Sequence, residues 1–334
     1  MANIPLDINS LLEADEALRQ SRSLPIGRAV HSITLSDNEH KVSSDLFARI
    51  LLQCPNVRSL SLLEWTFKRI STSYIQQFAA QSTFSCLTCL VIGNKGALAS
   101  SSLFALLSAM PTLSILQIGY VGDHLDDSDD EAAEDRPSES FATPACSLTR
   151  LIVFDDWDVK FMHYSLLLCN SHDTLEHLEL SYIFDWGSDS DNDVDANVVR
   201  PVDIENAVQQ AIAPCSRLRS LAIIGSDLTV VRLIAACPNL QRLTLDRLPS
   251  DKEIDALPQN GRTLRELFLL RCTGAGNGDG FIGVHWPTLK RFLPSLPALR
   301  TLRLVGSGDV AERSPLSYPL ARAECERRRI KLLT

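Results

Sequence analysis

Apolar side chains recur along the chain in one short frame: an apolar residue, two others, an apolar residue, one other, an apolar residue. The phrase "CPNLQRLTL" at 237–245 carries it as Leu240, Leu243 and Leu245, and "CPNVRSLSL" at 54–62 repeats it as Val57, Leu60 and Leu62. Ten frames occur, beginning at Val30, Val57, Leu87, Leu113, Leu148, Leu175, Leu218, Leu240, Leu264 and Leu299, and every key position is Leu, Ile or Val. Successive frames start 22–43 residues apart, with a middle value of 27. The last two apolar positions, two residues apart, fall on one face of a short strand. A single strand of this kind cannot bury that face alone, so the period predicts parallel strands that stack and share a core. Between frames the pattern turns helical. "SSDLFARILLQC" (43–54), "SSSLFALLSAM" (100–110) and "TVVRLIAAC" (229–237) place apolar residues at helical spacing, and Pro55, Pro111 and Pro238 end each helix before the next strand.

A frame of Leu-x-x-Leu-x-Leu with a period in the twenties is the leucine-rich-repeat signature. The predicted fold class is therefore α/β, a leucine-rich-repeat horseshoe (a solenoid) of about ten repeats, with parallel strands on the concave face and helices on the convex face. An ordinary doubly wound α/β domain is the alternative. The expected organisation is an N-terminal helical segment at 1–27, then the solenoid at 28–334. The solenoid contains insertions at 122–140 and 185–197 and ends in a C-terminal cap at about 317–334, where "ARAECERRRIKLL" reads as a helix and a last short strand.

A helix followed by Cys-Pro-Asn-Leu and x-x-Leu-x-Leu resembles the ribonuclease-inhibitor-like repeats of F-box/leucine-rich-repeat proteins, fungal type. Residues 54–62 and 237–245 carry the likeness, with Cys215 to Ile223 as a variant lacking the Pro. The resemblance implies a substrate-recognition subunit of an SCF-type ubiquitin ligase, with the SCF adaptor subunit and a protein substrate as partners. "IPLDI" (Ile4 to Ile8) has the shape of an F-box opening, but the first repeat starts near Val30, so the box is degenerate or missing.

Charge is local. The net charge of −9 is concentrated in "GDHLDDSDDEAAEDRPSES" (122–140), at −8, and "DWGSDSDNDVDAN" (185–197), at −5, so the remainder carries +4. These segments support a competing reading, an acidic scaffold that draws basic nuclear proteins by long-range attraction, independent of ubiquitin. Ser128 and Ser190, each beside acids, suit acid-directed kinases and are candidate phosphosites. Nucleic acid is not an expected partner, because the body shows no basic stripe and "ERRRIK" (326–331) reads as a helix end opposing its dipole. No apolar run is long enough to span a bilayer, the amino terminus lacks an h-region, and no Asn-x-Ser/Thr sequon occurs. Nine dispersed cysteines then point to reduced thiols in the cytoplasm or nucleus, and the chain is expected to be a monomer outside its complex.

Candidate chemistry is sparse. Cys86 and Cys89 form one C-x-x-C inside a repeat, with no second pair to complete a zinc site. "GDGFIG" (Gly278 to Gly283) fits G-x-G-x-x-G, yet eight residues separate it from the preceding strand and Trp286-Pro287 follows, so it reads as a loop. "DSDNDVD" (Asp189 to Asp195) starts like a calcium loop but has Val194 where the glycine belongs and Arg200 where the closing acid belongs. No cofactor, metal site or catalytic set is expected, and the chain is read as non-enzymatic. What remains is surface. The variable positions of each frame predict a concave protein-binding face containing Ile115, Arg150, Ile152, Phe154, His177, Glu179, Ile224, Arg242, Phe268, Leu270 and Arg303. Apolar members open to solvent among charges are the mark of a binding surface. Arg150, His177 and Glu179 are expected to form a polar or ion-pair patch across neighbouring strands. Trp65, Trp157 and Trp186, just past strands, are candidate rim anchors.

Overall fold

The computed structural model of the protein describes residues 4–6, 30–35, 44–62, 72–93, 100–119, 141–154, 163–181, 201–224, 231–246, 262–270, 286–305 and 317–334. Contacts divide the chain into two units, Met1–Leu175 and Glu176–Thr334. Both are built from the same repeat.

In the first unit, six strands run parallel in sequence order: β1 (Ile4–Leu6), β2 (Ser32–Leu35), β3 (Ser59–Leu62), β4 (Cys89–Ile92), β5 (Ile115–Ile118) and β6 (Arg150–Phe154). Helices α1 (Ser44–Gln53), α2 (Thr72–Ala80), α3 (Ser100–Ser108) and α4 (His163–Leu167) lie between them in the chain. The second unit repeats the scheme with β7 (His177–Ser181), β8 (Ser220–Ile224), β9 (Arg242–Leu245), β10 (Glu266–Leu269), β11 (Thr301–Leu304) and β12 (Lys331–Leu333). Its helices are α5 (Pro201–Ile212), α6 (Val231–Ala236), α7 (Trp286–Phe292) and α8 (Ser317–Arg328). Each of the ten frames leads into one strand, from β2 to β11. The register is that of the frame: Leu90 stands beside Leu60 and Leu116, and Leu243 beside Leu221 and Leu267. Alternation does the rest, since Leu60, Leu62, Leu90 and Ile92 are buried while the intervening Ser59, Ser61, Cys89 and Val91 are half-exposed.

The phrase Cys-Pro-Asn-Leu is a four-residue turn. The leading apolar residue donates its N–H to the carbonyl three residues back: Val57 to Cys54 at 3.3 Å, Leu240 to Cys237 at 3.1 Å, Leu218 to Cys215 at 3.2 Å. Pro at the second position pre-sets the turn dihedral and cannot continue the helix. The Asn side chain then links neighbouring repeats, with Asn239 Nδ2 donating to the Ser216 carbonyl at 3.0 Å. The cysteine is small enough to fill the core below the turn, and Cys54, Cys215 and Cys237 are all buried.

The amino terminus differs from expectation. Ile4–Leu6 is a strand paired in parallel with β2, Ile4 beside Ile33 and Leu6 beside Leu35, rather than part of a helical segment. The physical reason is register: Ile4 and Leu6 supply the two apolar positions of a strand, and β2 offers an unpaired edge for them. Trp65, Trp157, Trp186, Ser128, Ser190, both acidic insertions and "GDGFIG" lie outside the described residues.

Candidate functional site

The face of each sheet not buried in the core collects the variable positions of the frame. In the first unit, register places Cys89, Ile115 and Arg150 in one row and Val91, Gln117 and Ile152 in the next, with Phe154 at the end of β6. Arg150 is exposed and Ile115 and Phe154 are half-exposed. Ile152 departs from the expected exposure. It is buried at 6%, between buried Leu151 and Val153, so β6 contributes three consecutive buried residues where β3, β4 and β5 alternate.

In the second unit one row reads His177, Ser220, Arg242, Glu266, Thr301 and Lys331, and the next Glu179, Ala222, Thr244, Phe268, Arg303 and Leu333. Ile224 follows at the end of β8 and Leu270 just past β10, both half-exposed. His177, Arg242 and Arg303 are exposed, and Glu179 and Phe268 are half-exposed. Thus seven of the eleven expected face residues share this unit: His177, Glu179, Ile224, Arg242, Phe268, Leu270 and Arg303. Arg150 belongs to the first unit, and His177 and Glu179 belong to the second.

An ion pair on this face joins adjacent strands. Arg242 Nε donates to Glu266 Oε2 at 2.6 Å, one strand over in the same row. The same guanidinium sits 5.5 Å from the centroid of the Phe268 ring. Three side chains on two strands thereby form one amphipathic patch, in which a partly exposed pair adds well under about 1 kcal/mol but fixes orientation. The signal was present in the sequence: opposite charges in equivalent positions of adjacent repeats.

Among the described residues, no group of three or more His, Cys, Asp or Glu side chains could hold a metal ion. Burial pushes the thiols of Cys54 and Cys146 up to about 11 and that of Cys237 up to about 12, away from thiolate chemistry at neutral pH. No helix among the described residues is long and apolar enough to cross a membrane.

No protein-family model matches the chain, and no curated protein is similar to it in sequence. Among solved structures it is similar to an internalin (inlF) of Listeria monocytogenes strain 4b F2365, over 91% of this chain and 87% of that one, at 15% identity and a TM-score of 0.36. It is similar also to TLR13 in a complex with ssRNA13, over 82% of this chain and 41% of that one, at 15% identity and a TM-score of 0.31. The chain thus spans less than half of TLR13. Parallel register, a recurring turn and ten frames of one motif make this protein an α/β leucine-rich-repeat solenoid.

Proposed function

We propose that the chain is a non-enzymatic protein-interaction module that binds its partner on the open face of its repeat sheet. One observation carries this reading. The repeat constrains only the buried positions, yet half-exposed apolar residues stand on the other face: Ile115 and Phe154 with Arg150 in the first unit, and Ile224, Phe268 and Leu270 with His177, Glu179 and Arg303 in the second. Apolar anchors within a charged surround are the anatomy of a protein interface. Trp65, Trp157 and Trp186 are the proposed rim anchors.

The finer role we assign is substrate recognition for an SCF-type ubiquitin ligase, or the role of a relative without the F-box. The Cys-Pro-Asn-Leu turns support the first part and the strand at Ile4–Leu6 supports the second, since an F-box opens on helices. A second reading rests on the −8 and −5 segments, which suit a scaffold for basic nuclear proteins tuned by phosphate on Ser128 and Ser190.

Affinity capture from native lysate decides among these, using the intact chain, a variant with Ile224→Glu and Phe268→Glu, and a chain lacking 122–140. The face reading expects the variant to lose its specific partners while the deletion keeps them. The same partner set on both the intact chain and the face variant would refute it, and loss only on deletion or at raised salt would give the role to the acidic segments. Recovery of the SCF adaptor by the intact chain, lost on removal of 1–27, would restore the F-box.

A further inference from the structure

Each repeat has one more position that enters neither the core nor the open-face rows: the residue directly after the leading apolar one. Main-chain bonds stack these residues into a row along the leading edge of each sheet. In the first unit Thr88 N–H donates to the Arg58 carbonyl at 2.9 Å, Ser114 to Thr88 at 3.1 Å and Thr149 to Ser114 at 2.8 Å. In the second, Arg219 donates to Glu176 at 3.0 Å, and Gln241 to Arg219, Arg265 to Gln241 and Arg300 to Arg265, each at 2.8 Å.

The two rows have different chemistry. The hydroxyls of Thr88, Ser114 and Thr149 turn back onto the carbonyl of the preceding repeat, at 3.1, 3.2 and 3.1 Å, so the fold itself uses them. The equivalent positions of the second unit hold Arg219, Arg265 and Arg300, all exposed. None of the three has a carboxylate partner among the described residues. Glu176, at the head of the row, is taken by Arg217 at 2.7 Å, and Glu266, in the adjoining row, by Arg242. The repeat does not require cations here, because Thr88, Ser114 and Thr149 serve the same position in the first unit, after Arg58 at its head. Like charges on neighbouring strands are unfavourable in isolation. With strands about 4.8 Å apart, Arg265 and Arg300 stand one step from each other and Arg219 two steps further, a ridge about 14 Å long.

We propose that this ridge is a docking surface, separate from the open face, for an acidic peptide segment of a protein partner. Alternate side chains of an extended peptide lie about 6.7 Å apart, so three carboxylates at every second position span about 13 Å, the length of the ridge. Guanidinium forks pair with carboxylates through two parallel hydrogen bonds, and Gln241 between Arg219 and Arg265 supplies an amide for the peptide backbone. Nucleic acid fits less well. Single strands bind where bases stack on aromatic rings, and the ridge positions Arg219, Gln241, Arg265 and Arg300 include no aromatic. Among the described residues the ridge positions lie just ahead of strands β8 to β11, not on a helix that could enter a duplex groove.

The test is fluorescence anisotropy on the full chain with a labelled peptide of alternating Glu and Ser, the same peptide with Gln for Glu, and an oligouridylate of equal charge. The Glu peptide should bind, and Arg219→Glu with Arg265→Glu and Arg300→Glu should weaken it by roughly tenfold or more, as loss of paired charges does. The milder Arg265→Gln with Arg300→Gln should weaken it in the same direction, and Lys290→Glu, exposed on α7, should leave it unchanged. Absence of peptide binding, indifference to the ridge substitutions, or equal binding of the Gln peptide would overturn the proposal. Tighter binding of the oligouridylate through the same arginines would overturn it in favour of nucleic acid. Failure of the open-face reading leaves this test untouched, since none of the three arginines lies in the open-face rows.

Discussion

At the scale of single residues, burial explains the cysteines better than any motif does. Cys54, Cys146, Cys237 and Cys325 lie in the core, where burial raises their thiols to about 11, or about 12 for Cys237. Cys86, Cys89 and Cys169 are half-exposed. Thiol labelling of the native chain at neutral pH should therefore modify the second group first and the first group only on unfolding. Rapid native labelling of Cys237 would contradict the packing. The same shift has a pH consequence. In the unfolded chain these thiols lose their protons near the ordinary value of 9.0, whereas the folded chain holds them to about 11. Stability is then fully present below about pH 9 and declines as pH rises toward 11, because the unfolded state binds fewer protons there. Thermal melts across that range should show the decline, and a flat profile would contradict it. The C-x-x-C at Cys86 and Cys89 is part of the repeat, since Cys89 occupies a face position of β4 and Leu87 and Leu90 lie in the core.

At the scale of the element, the unit is a turn followed by a strand, and both halves were legible in the sequence. Leu, Ile or Val at three fixed positions gave the strand and its register, and Cys-Pro-Asn gave the turn. Their energies differ in kind. Leu243, fully buried on β9, should cost about 2–5 kcal/mol when cut to Ala, by lost burial plus the cavity left behind. Asn239→Ala removes one hydrogen bond between repeats and should cost about 1 kcal/mol. Urea denaturation of the two variants checks the order, and an Asn239 loss as large as that of Leu243 would mean that the turn, not the core, holds the repeat. Helix ends were harder to read. α2 and α8 end on non-glycine residues in the left-handed region, Ser82 at φ 51° and Arg329 at φ 61°. The bonds from Thr83 to Phe78 at 3.0 Å and from Ile330 to Cys325 at 2.8 Å close those ends, so local capping bonds hold a non-glycine residue where glycine is the usual signal. β1 was missed for a related reason: three residues carry too little pattern, and only the neighbouring edge of β2 makes them a strand.

At the scale of the molecule, the repeat fold was readable because periodicity averages over ten copies, while the surface is written once at each position. Face positions were identifiable by counting, but their exposure depends on neighbours, as Ile152 shows by being buried where Phe154 is not. The arginine row of the second unit is equally countable, but it vanishes in a charge summed over the whole body and shows only along one position of the frame. The central claim is that the open face, and not the helical side, receives the partner. Photo-crosslinking tests it most directly, with a photoreactive residue placed in turn at Ile224 and Phe268 on the face and at Gln77 and Gln210, exposed on α2 and α5. The account expects partner adducts from Ile224 and Phe268 and none from Gln77 or Gln210. Adducts from the helical positions alone would contradict it.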